Sequence, residues 1–198
     1  MIITIAGYKG GIGKTTTAVH LAAVMNKNAT TLLIDADENR SAVSWARQKK
    51  LPFNVATEST APMAFTKIRP EHTVIDTKAR PSAEDLEEIS EACDLIILPT
   101  TTRPMDFEAL IKTVEKIKAI DMPYKVLLNM VPPNSTRKSS DITEVLEGAN
   151  IPVFKTIVYR YSFIEQLPLD GILASQAKDD NAQKVWKQYR SIGKEIFG

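Results

Sequence analysis

Short apolar runs rich in β-branched residues alternate along the chain with segments whose apolar residues recur every three or four positions. The first pattern suits strands buried on both faces, the second helices laid against them, and their alternation is what a parallel sheet covered on both sides produces. Strands are expected at Ile2–Ala6, Thr31–Asp35, Phe53–Ala56, Thr73–Asp76, Leu95–Pro99, Lys125–Asn129 and Val153–Val158. Helical spacing is read in Ala18, Leu21, Ala22 and Met25, in Leu86, Ile89 and Cys93, and in Phe107, Leu110, Ile111, Val114 and Ile117. The fold class is therefore α/β, a doubly wound and mostly parallel sheet with helices on both faces. Such a sheet binds ligands beyond the carboxyl ends of its strands, so chemistry is sought just after each strand.

At 198 residues the chain fits one domain, read here as 1–198, without an N-terminal helix-turn-helix domain ahead of Ile2. The stretch from Pro132 to Ser140 reads as a loop. A formal net charge of +1 provides no global attraction to nucleic acid or anionic membrane, so any such binding needs a local patch. Cys93 is the only cysteine, which excludes an internal disulfide framework and a multi-cysteine metal site and makes a core-packing role and a cytoplasmic setting the expectation. The apolar run from Met1 to Ala6 is cut off by Gly7, too short for a membrane span or signal sequence.

Directly after the first strand stands Lys9-Gly10-Gly11-Ile12-Gly13-Lys14-Thr15-Thr16, leading into the first helical pattern. Glycines let backbone N–H groups curl around phosphate oxygens, a helix N-terminus adds its positive dipole end, Lys14 can reach β and γ phosphates, and Thr15 can ligate magnesium. A plain glycine turn capping a helix does not call for Gly-Lys-Thr-Thr at this spacing after a strand. An ordinary phosphate loop carries glycine where this chain has Tyr8, followed by a second lysine, Lys9. In this form the segment resembles the deviant Walker A motif of the ParA/MinD family. The resemblance implies Mg-ATP as ligand and a nucleotide-sandwich homodimer in which Lys9 reaches the partner's phosphates, much as an arginine finger does. A phosphate contact within one subunit is the alternative for Lys9.

Leu32-Leu33-Ile34-Asp35-Ala36-Asp37 ends a buried strand with two carboxylates near its carboxyl end. By resemblance to the family's second acidic motif, Asp35 helps hold the magnesium shell and Asp37 orients or activates the attacking water. The family continues with Pro-Gln, whereas this chain has Glu38-Asn39, and an aspartate in this place also suits a helix cap. Thr73-Val74-Ile75-Asp76-Thr77 resembles Walker B, with Asp76 holding magnesium through water. Lys78 stands where the family commonly has proline; a contribution to ATP affinity or dimer stability is set against a solvated surface lysine. Asp94 to Thr100 and then Pro104-Met105-Asp106-Phe107 resemble the switch-side strand and following segment of short plasmid-partition ATPases. Asn129 matches a position that often hydrogen-bonds adenine, although an Asn before Pro132-Pro133 also suits a turn. Lys9, Lys14 and Asp37 are thus the expected catalytic residues.

The resemblance implies an ATPase of weak basal, partner-stimulated activity that positions or partitions a cargo, a plasmid or a protein compartment such as carboxysomes, by ATP-gated binding to non-specific DNA. An adaptor protein would link it to cargo, and the ATP state would be nucleoid-associated. A MinD-like membrane-bound ATPase and a biosynthetic relative of dethiobiotin synthetase are the competing classes; one lone cysteine speaks against an iron protein. In the last helical segment Val185, Tyr189, Ile192 and Ile196 share one face, and Lys187, Arg190 and Lys194 lie opposite. Those three cations, with Arg160, are the expected DNA contacts. Trp186 and Phe197 beside them would also suit a membrane surface; no membrane contact is expected, because the helix is needed for the domain itself.

Overall fold

The computed structural model describes residues 1–79, 82, 84–85, 87, 91 and 93–198, so the helical spacing read at Leu86 and Ile89 lies outside the described residues. Among the described residues six parallel strands form one sheet: β1 (Ile2–Ile5), β2 (Thr31–Ala36), β3 (Asn54–Thr57), β4 (His72–Thr77), β5 (Leu95–Thr100) and β6 (Tyr124–Leu128), in the order β3-β2-β4-β1-β5-β6. The helices are α1 (Lys14–Met25), α2 (Ser41–Ala46), α3 (Ala61–Ile68), α4 (Pro104–Ala119), α5 (Thr136–Gly148), a short α6 (Leu167–Asp170) and α7 (Ala182–Phe197). Alternate strand residues divide the core. Ile3, Ile5, Leu33, Val74, Ile97 and Leu127 pack under α1, α2 and α7, whereas Ile96, Leu98 and Val126 pack with α4 and α5 and Leu32 and Ile34 with α3. The chain winds from β1 toward the β3 edge, returns to β4, then crosses to β5 on the other side. β1 and β4 therefore flank the switch of winding direction, where a crevice opens beyond the strand ends.

Two expectations need correction. Val153–Val158 is not a continuous strand: it meets β6 at an isolated bridge, Val126 with Val153, and again only at its far end, where the Val158 N–H donates to the Leu128 carbonyl at 3.0 Å. Its middle is diverted between these points, since the Lys155 and Thr156 N–H groups donate at 2.9 Å to the Glu195 carboxylate on α7 in place of a strand carbonyl. The Thr156 hydroxyl adds a 2.6 Å bond, and these bonds offset burial to hold the Glu195 carboxyl below the usual carboxylate range. The Pro132 to Ser140 stretch is also not all loop, because α5 begins at Thr136, where Ile142 and Leu146 come into register to pack on the sheet.

Candidate functional site

The loop after β1 is shaped by Gly13, the N-cap of α1, at φ 84°. A Cβ there would stand 2.4 Å from the Asn129 amide nitrogen, so the position demands glycine for both conformation and space. Asn129, at the end of β6 and 2% exposed, donates to the Ile12 carbonyl at 2.9 Å, and its own side-chain carbonyl accepts from the Met130 N–H at 2.9 Å. Its amide nitrogen also lies 3.4 Å from the Thr17 hydroxyl. The side chain expected to read adenine lines the cleft beside the loop, with its amide nitrogen bonded to the glycine loop and its carbonyl to Met130. Asn129→Ala should lower the melting temperature by several degrees, since an orphaned buried carbonyl costs about 1–3 kcal/mol, while leaving the ratio of ATP to GTP affinity unchanged. A calorimetric titration of both nucleotides checks this, and a changed ratio would restore the base-reading role.

Asp35 and Asp76 are register partners on β2 and β4, both fully buried, yet their situations differ. Asp35 accepts backbone N–H groups from Asp37 at 3.2 Å and Val43 at 2.9 Å, so its carboxylate holds the following loop and the start of α2. Asp76 has no partner in hydrogen-bond geometry on either oxygen. Burial pushes its carboxyl up to about 7, against the nearby Thr15 hydroxyl and Lys14 ammonium, which draw it down. A buried carboxylate without a partner, beside a threonine hydroxyl at a phosphate loop, fits a hydrated magnesium ion, which takes one or two carboxylates and completes its shell with water and phosphate oxygens. The magnesium role foreseen for Asp35, Asp76 and Thr15 thus falls most directly on Asp76 and Thr15. Lys14 is 6% exposed; burial lowers its pKa, while Asp76 and Asp37 act to raise it. Asp37 is turned by Asn39, whose backbone N–H and side-chain amide both donate to its Oδ1, at 2.9 and 2.8 Å. Position 39 therefore has a job here although it is not the family's glutamine.

Lys9 is one-third exposed and pairs at 2.9 Å with Asp106 near the start of α4. Asp106 also accepts a 2.6 Å bond from the Thr101 hydroxyl, and Arg103 lies 3.7 Å away. Burial works to raise its pKa, but Thr101 and Lys9 outweigh it and hold the carboxyl low. Tyr8, in place of the usual glycine, is hydrogen-bonded through its hydroxyl to Lys116, whose ammonium lies 4.9 Å from the ring centroid. The loop is therefore tied to α4 twice. Sequence reasoning gave neither Asp106 nor Lys116 a role; the Pro-Met-Asp-Phe segment was the one available signal for Asp106. Lys78 pairs with Asp85 at 3.0 Å, a bond that raises its pKa, and it is 45% exposed.

Beside Gly11, Gly13 and Thr16 opens a cleft of about 210 Å³ walled by Asn129, Met130, Tyr161 and Arg160. Arg160 thus lines the mouth next to the loop and pairs with Glu165 at 3.2 Å. Lys187, Arg190 and Lys194 are exposed along α7, while Val185, Tyr189 and Ile192 are buried and Ile196 is partly buried. Trp186 is buried too, which removes it from the membrane alternative; no helix among the described residues is long and apolar enough to cross a membrane. His20, fully buried on α1, stacks on Tyr189 with ring centroids 4.6 Å apart. Its Nε2 accepts from the Ala174 N–H, so Nδ1 carries the proton and donates to the Thr16 carbonyl at 2.8 Å. Burial depresses its pKa to about 4, which keeps the ring neutral at physiological pH.

Residues 3–171 match the model of the CobQ/CobB/MinD/ParA nucleotide binding domain. The chain belongs to this family. Within the MinD/ParA group its relatives include a "Maintenance of carboxysome distribution protein A" of Gloeobacter kilaueensis, 32% identical over 98% of this chain and 93% of that protein. A "Protein ParA" of Rhizobium radiobacter is 30% identical over 67% of this chain and 65% of that protein. Among solved structures, an ATP complex of a Cyanothece McdA variant superposes with a TM-score of 0.78 at 16% identity, over 99% of this chain and 96% of that one. At that identity the likeness speaks for the MinD/ParA fold alone.

Proposed function

We propose that this MinD/ParA-family protein is a positioning ATPase: it binds Mg-ATP, dimerises around it, attaches in that state to DNA without sequence preference, and is released by hydrolysis that an adaptor protein stimulates. The observation that carries the reading is the pair of lysines on one phosphate loop. Lys14 is enclosed by the crevice beside Asp76, whereas Lys9 rests on Asp106 at the outer side of the loop. One lysine suffices for the phosphates of its own subunit, and the second is placed to leave Asp106 for the more highly charged phosphates of a partner. The relatives named for carboxysome distribution and the ParA likeness support a cargo that is a protein compartment or a plasmid, in the cytoplasm and on the nucleoid.

In this reading the glycine loop and Lys14 bind the phosphates, the cleft beside Thr16 takes the nucleoside, and Thr15 with Asp76 would hold magnesium. That ion, when bound, neutralises phosphate charge during transfer. Asp37, its Oδ1 fixed by Asn39, orients the attacking water and accepts its proton. Asp37→Ala should bind ATP as the parent does and accumulate as an ATP dimer with hydrolysis reduced at least ~100-fold, the scale of a lost general base. Lys9→Ala should lose dimer and hydrolysis together. Light scattering with Mg-ATP decides the matter: a Lys9→Ala protein that dimerises like the parent rules out the cross-subunit role.

A further inference from the structure

At the opposite end of α1 from the phosphate loop lie two clefts of about 360 and 400 Å³ that share Lys27. The first runs between Lys50, Lys27 and Trp186, the second between Lys27, Arg190 and Lys194. These cations come from three separate places in the chain: the segment after α2, the end of α1, and α7. We infer that Lys50 and Lys27 together with Lys187, Arg190 and Lys194 form one continuous track for the phosphate backbone of duplex DNA, an inference that rests on the DNA-binding reading above and assigns it a surface.

Charge segregation supports the track. The chain as a whole carries only +1, yet all five of these cations are exposed and, among the described residues, none is within ion-pair distance of a carboxylate. The acid on this helix, Glu195, is turned away to Lys125, Lys155 and Thr156. Lys27 is held over the Trp186 ring, 5.0 Å from its centroid, and Lys50 donates to the Asp170 carbonyl at 2.9 Å, so neither lysine is a freely waving surface group. On α7 the spacing of Lys187, Arg190 and Lys194 puts them within about 10 Å along one side, a straight row beside the clefts. Cations in a row along a concave surface, none of them in an ion pair among the described residues, suit a regularly charged polymer better than a compact anion. A membrane surface is the less suitable occupant, because Trp186 is buried beneath Lys27 and Phe197 is the one exposed aromatic at this end of α7. Arg160 belongs to the other end of α1, at the nucleotide-side cleft beside Glu165, and lies outside the track.

The experiment compares the parent, the double variant Lys27→Gln/Lys50→Gln and the double variant Lys187→Gln/Arg190→Gln. Each is loaded with Mg-ATP and titrated with random-sequence duplex at several salt concentrations, and in parallel with anionic phosphatidylserine vesicles. ATP affinity and the dimer fraction are recorded for all three and should agree with the parent, since none of the altered residues lines the phosphate site. If the track is right, each double variant loses duplex affinity at least ~10-fold, and the slope of log affinity against log salt falls by about 2 for each subunit of the dimer that touches the duplex, because two phosphate contacts per subunit are gone. A Lys27→Gln/Lys50→Gln protein with the parent's affinity and slope, while the α7 variant is weakened, overturns the track and leaves the DNA reading standing. A parent that binds no duplex in Mg-ATP overturns the DNA reading itself, and binding to vesicles in place of duplex overturns both.

Discussion

Replacing Lys14 by alanine is expected to weaken Mg-ATP binding on the order of 10²–10⁴-fold. Lys14 is enclosed at the base of α1, its ammonium 3.4 Å from the Lys9 carbonyl and in the field of Asp76 and Asp37. In the ligand-free chain, burial already draws its pKa down, so the charged form gains most when phosphate oxygens surround it. Two charge-assisted hydrogen bonds at about 1.5–3 kcal/mol each give the stated range. The same change removes one of the groups that hold down the Asp76 pKa, so the Asp76 carboxyl should titrate still higher in the variant. Isothermal titration checks the affinity, and a loss smaller than tenfold would show that the glycine loop binds phosphate without this side chain.

Asp76→Asn should act in opposite directions on the free and the loaded protein. In the folded free chain the Asp76 carboxyl keeps its proton up to about pH 7, whereas in the unfolded chain it loses it near pH 4. Between those values the folded state binds more protons, so this group lends stability as pH falls from about 7 toward 4, and imposes its full cost above pH 7. That cost is on the order of 4 kcal/mol, part of which asparagine retains because its amide is also left without a partner. The variant is therefore expected to melt several degrees above the parent at pH 8 and close to it at pH 5. The stabilisation that Mg-ATP confers on the parent should largely vanish in the variant, since the carboxylate most directly open to the ion has been neutralised. Thermal denaturation at both pH values, with and without Mg-ATP, tests the pair of effects. A variant that melts below the parent at pH 8, or keeps the whole Mg-ATP shift, contradicts the assignment.

The residues of the site that were legible in the sequence are those defined by position along one strand end. Asp35, Asp37 and Asp76 could be placed at the crevice because a buried parallel strand shows itself as an apolar run and its last residues must face the ligand. Lys14 and Thr15 followed from spacing within one loop. What the sequence could not reveal depends on partners far apart in the chain. Asn129 is committed to a loop 117 residues away, and Lys9 rests on an aspartate 97 residues away. Val153–Val158 has the composition of a strand, but Glu195 on α7 captures the N–H groups of Lys155 and Thr156 at its middle. Asp35 and Asp76 look alike as strand-end aspartates; only the backbone donors of Asp37 and Val43 tell them apart.

The clamp between Asn129 and the Ile12 carbonyl has a thermodynamic corollary. With Gly13 seated against the Asn129 amide, and Tyr8 and Lys9 fastened to α4, the phosphate loop is anchored at two separate places, the end of β6 and α4. It is a mould cast ahead of its contents rather than a flap that closes over them. Capturing phosphate then carries little ordering entropy, and the rate of capture is set by diffusion into the crevice instead of by a folding step of the loop.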